Sequence, residues 1–302
     1  MVTYQKIALL GKGTLGSAVL SELAAAGFEV TVLGRSESSK QGLPDGVAFI
    51  TVDYSSIDGL AAALKGQDAV VSTLGGAGVF AQKQVIDASI KAGVKRFVPS
   101  DWASFTDDPK SWEELPFVLG PFIDTRKYLA EKASSGEIEH TIFSVGGFTD
   151  FAVQFPLLFD YPNKRVELWD DGRHPFSSTS LSGIGKAVVG AFRNPDATRN
   201  RNIRVHELVV TQAQLVALAK KYSPPGTEWT QTAVDGQAEF EKARALAQED
   251  PTDEGKALGA IKAALLSGRY ESAYEQVDNE LLGVPLLTEK DLEARFAAAY
   301  KS

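Results

Sequence analysis

The sequence predicts an α/β fold: a parallel sheet with helices on both faces, followed by a smaller mixed α/β lobe. Three observations carry this. Short apolar runs alternate with helical periodicity through the first half. A glycine-rich turn closes the first apolar run. After about residue 150 the alternation gives way to turn-rich sequence and then to charged helical sequence. Strands separated by helices require right-handed crossovers, and therefore a parallel sheet covered on both faces.

KIALL (6–10) is an apolar run ended by glycine, a buried strand. TLGSAVLSELAAAG (14–27) is helical, with Leu15, Val19, Leu20 and Leu23 on one side and Gly27 as its stop. EVTVLG (29–34) and VAFITVD (47–53) are the second and third strands, and IDGLAAALKG (57–66) is a helix. DAVVSTLG (68–75) is the fourth strand, FAQKQVIDASIKAG (80–93) a helix and KRFVPS (95–100) the fifth strand. A helix over about 120–134 and the strand HTIFSVGG (140–147) complete this half, a domain over 1–150. A smaller lobe over 151–302 is expected to cover a substrate, with part of 177–205 packing back on the first domain. Within it, 160–178 combines turns with short strands, LSGIGKAVVGAF (181–192) is a helix, NIRVHELVVT (202–211) contains a strand, and TQAQLVALAKKY (211–222) is a helix.

Composition removes several function classes. A net charge of −8 argues against a general nucleic-acid binder, which must neutralise phosphates. The absence of cysteine excludes disulfides, thiolate zinc sites and a cysteine nucleophile, and three scattered histidines (His140, His174, His206) give no metal-binding spacing. No run of eighteen apolar residues is present to span a membrane, and the four-residue run Ile7–Leu10 is too short for a signal peptide. The expectation is a cytoplasmic protein without metal, membrane or nucleic-acid partner.

Ligands of such sheets bind beyond the carboxyl ends of the strands. There, Gly11-Lys12-Gly13-Thr14-Leu15-Gly16 forms GxGxxG between strand and helix. Gly11 allows the tight turn, Gly13 lets backbone approach a pyrophosphate, Gly16 lets the helix pack close, and the helix N-terminus offers free N–H groups. This is a Rossmann-type dinucleotide fingerprint. The second strand ends in Arg35-Ser36-Glu37-Ser38-Ser39-Lys40, with Arg35 where an NAD-binding chain carries an acidic residue. Arg35, with Ser38 and Lys40 as further donors, suits a 2′-phosphate and predicts NADP(H), against which Glu37 counts. Asp53 is expected beside the adenine; Thr73, Leu74 and Gly75 are expected along the ribose and pyrophosphate, and Ser100 beside the nicotinamide.

The segments GKGTLGS, GRSES, AQKQVIDASIKAGVKRFVPSDW and HTIFSVGGFTDF, with the ending YEQVDNELLGVPLLTEKDLEARFAAAY, resemble the NmrA-like and isoflavone-reductase-like family of atypical short-chain dehydrogenases, fungal members in particular. The resemblance spans essentially the whole chain. It implies a Rossmann domain binding NADPH and a C-terminal lobe over an aromatic or otherwise hydrophobic small molecule. The reductase branch has Pro-Ser-Glu-Phe-Gly after the fifth strand, where this chain reads Pro99-Ser100-Asp101-Trp102-Ala103. The branch's catalytic lysine lies twenty-two residues after that serine and four before a basic pair. Counting from Ser100 and back from Arg126-Lys127 both give Phe122.

Three readings stay open. Tyr128 and Lys132 form YxxxK, the acid pair of ordinary short-chain dehydrogenases, although Tyr128 lies about 240° around the helix from position 122. Alternatively Lys127, Asp101, Ser100 or a water acts as the acid. In the third, hydride transfer is lost, and the protein is an NADP(H) sensor that binds a partner protein, or a redox-neutral isomerase or cyclase. In each, Trp102, Phe122, Gly146, Phe148 and Phe151 are expected to border the substrate pocket. The leading expectation is an NADPH-dependent reductase of an aromatic or enone-bearing metabolite.

Overall fold

The computed structural model describes residues 4–154 and 157–300. In chain order the elements are β1 (Lys6–Leu10), α1 (Thr14–Ala25), β2 (Glu29–Gly34), β3 (Ala48–Thr51), α2 (Ile57–Leu64), β4 (Ala69–Ser72), α3 (Gln82–Ala92), β5 (Arg96–Val98), α4 (Pro109–Glu114), α5 (Pro116–Ser134), β6 (Glu139–Ser144), β7 (Gly147–Phe148) and α6 (Thr149–Gln154). The second half adds β8 (Arg165–Trp169), β9 (Pro175–Thr179), α7 (Leu181–Arg193), β10 (Arg201–Arg204), β11 (Leu208–Thr211), α8 (Gln212–Lys221), β12 (Thr230–Val234), α9 (Gly236–Glu249), α10 (Glu254–Leu266), α11 (Asn279–Leu282) and α12 (Glu289–Tyr300).

The main sheet has seven strands in the order β10-β6-β5-β4-β1-β2-β3, every pair parallel. Both faces of β1 are buried. Ile7 and Leu9 enter one core with Val19 and Leu23 of α1 and Ile184 and Val188 of α7, whereas Ala8 and Leu10 enter another with Leu60, Val85, Ile86 and Leu129. The alternation of a strand explains the split, and covering helices on both faces explain why the run is apolar throughout. α7 packs so closely on α1 that a Cβ at Gly185 would sit 3.1 Å from the Ala18 carbonyl.

β11-β9-β7 and β12-β8 form two small sheets, and a third core joins them to α5, α8, α9, α10 and α12 around Trp169, Phe240 and Phe296. The strand expected within 202–211 is two strands. β10 extends the main sheet beside β6, and β11 pairs antiparallel with β9. Strand order reverses between β1 and β4, which opens a crevice above their carboxyl ends.

Candidate active site

A cavity of about 660 Å³ occupies that crevice, walled by the turns after β1, β2 and β4. Gly11 turns the chain with φ +87° and donates its N–H to the Leu33 carbonyl at 3.2 Å. Gly16 is buried beneath it: a Cβ there would lie 2.3 Å from the Gly11 carbonyl oxygen and 2.6 Å from Thr73 Oγ1. Gly13 and Gly75 differ. Both have ordinary negative φ, −74° and −107°, and a Cβ on either would meet no protein atom within 4 Å. Both line the cavity. The chain's own packing does not require glycine at either place, and both leave bare backbone facing the cavity. Gly13 is the N-cap of α1 and brings no capping side chain, and the first turn holds no acidic residue, so the leading N–H groups stay free for an anion. These residues fit a dinucleotide pyrophosphate. Thr14 opens α1 exposed beside this wall, while Leu15 packs against the core rather than lining the cavity.

Thr73 lines the cavity and donates its hydroxyl to the carbonyls of Leu10 (3.1 Å) and Gly11 (2.9 Å), which fastens the β4 turn to the glycine turn. Leu74 lines it too, held from below by Ser100, whose Oγ donates to the Leu74 carbonyl at 2.8 Å. Ser100 is therefore a brace under the wall, and its N–H donates to Gln82 Oε1 at 2.5 Å.

At the end of β2, Arg35, Ser36 and Ser39 face the cavity. The expected Ser38 and Lys40 do not line it; Ser38 shares a hydrogen bond with Ser36 at 2.7 Å, on the short 3-10 turn Glu37–Lys40. Glu37, the residue that counted against a phosphate, accepts from Thr51 Oγ1 at 2.5 Å and lies outside the lining. Arg35 is exposed and makes no ion pair among the described residues. Lys12 lines the cavity and donates to the Gln41 carbonyl, a second cation beside the same turn that the glycine pattern alone did not single out. Asp53 lies beside the lining rather than in it. Its carboxylate holds Ser55 N–H and Oγ (2.9 and 2.7 Å), which keep its pKa low, and the neighbouring Tyr54 lines the cavity instead. Tyr54 donates to the Leu33 carbonyl at 3.0 Å, and burial pushes its phenol up to about 12.

A second cavity of about 570 Å³ adjoins the first and shares Gly76, Ala77 and Glu254 with it. Its walls are apolar: Val79 and Phe80 from the 3-10 turn Gly76–Ala81, Phe117, Pro121 and Phe122 from α5, and Leu258 and Ile261 from α10. Phe80 is 71% exposed at the rim, an unusual position for phenylalanine unless something covers it. Phe122 thus stands in the wall where the resemblance places a lysine.

The other aromatic expectations are redistributed. Trp102 is core: 8% exposed, it stacks on Phe143 at 5.4 Å and donates its indole N–H to the Ser72 carbonyl. Phe148 packs edge-on against Phe151 at 5.1 Å and against the α1–α7 core, and neither lines the two cavities. Gly146 serves a close approach, since a Cβ there would fall 2.0 Å from the Ser177 carbonyl at a φ of +71°.

The three candidate acids on α5 point elsewhere. Tyr128 donates to Asp87 of α3 at 2.5 Å, and that carboxylate, with burial, pushes the phenol up to about 12. Raising a tyrosine's pKa is opposite to what YxxxK catalysis requires. Lys132 lies over the Tyr128 ring at 5.4 Å and pairs with Glu137 at 3.2 Å, and Lys127 is exposed near the Trp112 ring. None of the three lines either cavity. Helical phase is the reason: the α5 face carrying Phe122 looks toward α10, and the face carrying Tyr128 looks toward α3. Asp101 is also engaged, buried against Arg126 Nε at 2.5 Å and accepting from Thr106.

Sheet, glycine turn and free helix N-terminus define a dinucleotide-binding α/β protein of the Rossmann type. A family profile described as NAD(P)H-binding matches residues 11–195. Oxidoreductase aprR of Aspergillus flavus is 30% identical over 294 residues, which cover 94% of this chain and 96% of the relative. The chain belongs to the NAD(P)H-binding family of NmrA-like and isoflavone-reductase-like oxidoreductases. Among solved structures, isoflavone reductase superposes with a TM-score of 0.75 at 21% identity, over 97% of this chain and 100% of that one. A protein solved with NADP+ and (+)pinoresinol gives a TM-score of 0.75 at 21% identity, over 99% of both chains.

Proposed function

We propose that this protein is an NADPH-dependent reductase of a small hydrophobic metabolite, aromatic or enone-bearing, that works without the family's lysine. The observation that carries the reading is the continuity of the two cavities: one is bordered by glycine backbone and cations, the other by phenylalanine, proline and leucine, and three residues are common to both. Gly11, Gly13 and Gly75 would accept the pyrophosphate, and Arg35 with Lys12 the 2′-phosphate, which favours NADP(H) over NAD(H). Bound there, NADPH supplies a hydride. Phe122 and Phe117 exclude water beside the acceptor, and the lobe over 151–302 closes the pocket through α10.

One feature favours a second reading. Among the described lining residues of the apolar cavity, the only side-chain donor is Thr252, and its hydroxyl already donates to Asp250 at 2.8 Å. A wall without a free acid suits an NADP(H) sensor or a redox-neutral enzyme as well as a reductase whose acid is water. Titration with NADPH and NADH, followed by NADPH oxidation against a panel of enones and aromatic lactones, separates these. Saturable NADPH binding with oxidation by an enone is expected. Binding without turnover across the panel, together with capture of a defined protein partner, refutes the reductase reading.

A further inference from the structure

Among the described residues the apolar cavity has a single ionisable lining residue, Glu254, the first residue of α10. Its carboxylate makes no hydrogen bond or ion pair among the described residues. It is not needed to start the helix, because Asp253 caps α10 by accepting the Lys256 N–H at 2.9 Å. Room is kept for it on the opposite side: a Cβ on Gly76 would lie 3.0 Å from Glu254 Oε1. An ionised carboxylate only accepts hydrogen bonds. With the Thr252 hydroxyl engaged, the cavity offers a bound molecule one strong polar side chain, and that one is an acceptor bearing negative charge.

We propose that Glu254 determines specificity in this cavity, receiving a hydroxyl or amine donor of the substrate and turning anionic substrates away. This rests on reading the apolar cavity as the substrate site. The chemistry selected is an aromatic or enone body with a neutral or cationic donor at the end nearest Gly76 and Glu254. Glu254 is exposed, so a methyl ether at that end only forgoes a hydrogen bond that water otherwise supplies, whereas a carboxylate there sets two like charges together.

The test uses the full chain with NADPH, as wild type, Glu254→Gln and Glu254→Ala, titrated with para-hydroxy-, para-amino-, para-methoxy- and para-carboxychalcone. Wild type is expected to bind the hydroxy and amino probes about three- to fivefold more tightly than the methoxy probe, as befits a hydrogen bond to an exposed charged group, with the carboxy probe weakest. Glu254→Ala should bring the four affinities together, and Glu254→Gln should admit the carboxy probe while keeping part of the preference for the hydroxyl. An unchanged ranking in Glu254→Ala, no ranking in wild type, or no saturable binding of any probe overturns the proposal. NADPH oxidation is followed in parallel. Ranked, Glu254-dependent binding without oxidation supports the role of Glu254 and strikes the reductase reading alone; oxidation with unranked binding strikes the role of Glu254 alone.

Discussion

Tyr128→Phe separates a structural tyrosine from a catalytic one. The substitution removes only the hydroxyl, leaving the ring under the ammonium groups of Lys132 and Lys83, 5.4 and 5.7 Å from its centroid. What is lost is the 2.5 Å hydrogen bond to Asp87, which ties α5 to α3. Hydrogen bonds to charged groups contribute about 1.5–3 kcal/mol, and partial exposure of this pair brings the figure down to about 1 kcal/mol. For a chain of this size that is roughly 1–2 °C in melting temperature. The pH dependence has a definite sign. The folded phenol is held at about 12, above its ordinary value of 10, so its contribution is complete below pH 10 and is lost as pH rises from there toward 12. Thermal melts of both proteins should differ by a constant amount below pH 10 and draw together within about one unit above it, with NADPH oxidation unchanged. Loss of a general acid costs at least about a hundredfold in rate. Coincident melts with a hundredfold slower NADPH oxidation would refute the placement of Tyr128 as a helix tie.

The two kinds of glycine in the cleft should behave oppositely. Gly13→Ala is expected to shift the melt by only about 1–2 °C, because glycine is favoured over alanine at an N-cap by roughly 0.5–1 kcal/mol, yet to weaken NADPH binding in a fluorescence titration. Gly16→Ala drives a Cβ into the Gly11 carbonyl, and a loss of about 1–3 kcal/mol in denaturant unfolding is expected; an unaffected Gly16→Ala protein contradicts that packing. Arg35→Ala should lower NADPH affinity about tenfold while sparing NADH, with less effect at high salt because the side chain is exposed; equal losses for both cofactors contradict a 2′-phosphate role. Arg126→Ala leaves the Asp101 carboxylate buried without its partner and should cost about 3–5 kcal/mol, read by urea unfolding with NADPH absent.

The main sheet was legible because its strands are short apolar runs bounded by glycine and helix; β1, β4 and β5 are buried on both faces, and only the edge strand β3 is largely exposed. Its seventh strand was obscure: in β10, Arg201-Asn202-Ile203-Arg204, only Ile203 is fully buried, and pairing with β6 depends on the α7 crossover rather than on local pattern. α5 begins at Pro116, earlier than the expected 120, because Gly120 and Pro121 mask a helical turn that tertiary packing holds. Glycine roles in the cleft could be foreseen from spacing, since they follow from backbone geometry. Side-chain roles could not. Whether Trp102 faces a pocket or Phe143, and whether Tyr128 faces a nicotinamide or Asp87, depends on helical phase and on elements far away in sequence. Phe117, Phe80 and Glu254 were missed for the same reason: a 3-10 turn, α5 and α10 converge from residues 80, 117 and 254. The one available signal was the apolar run Pro116–Leu119 before the masked turn.

Trp102 has a further use. Of the four tryptophans, it alone belongs to the core between the main sheet and the α1–α7 layer, while Trp112, Trp169 and Trp229 belong to or pack against the core around Phe240 and Phe296. An indole held dry against Phe143 emits at shorter wavelength than one in water. A variant retaining only Trp102 therefore gives an optical record of the nucleotide-binding sheet, and one lacking it records the remainder. Chaotrope titrations of the two would tell whether sheet and second core melt as a single cooperative unit or in sequence.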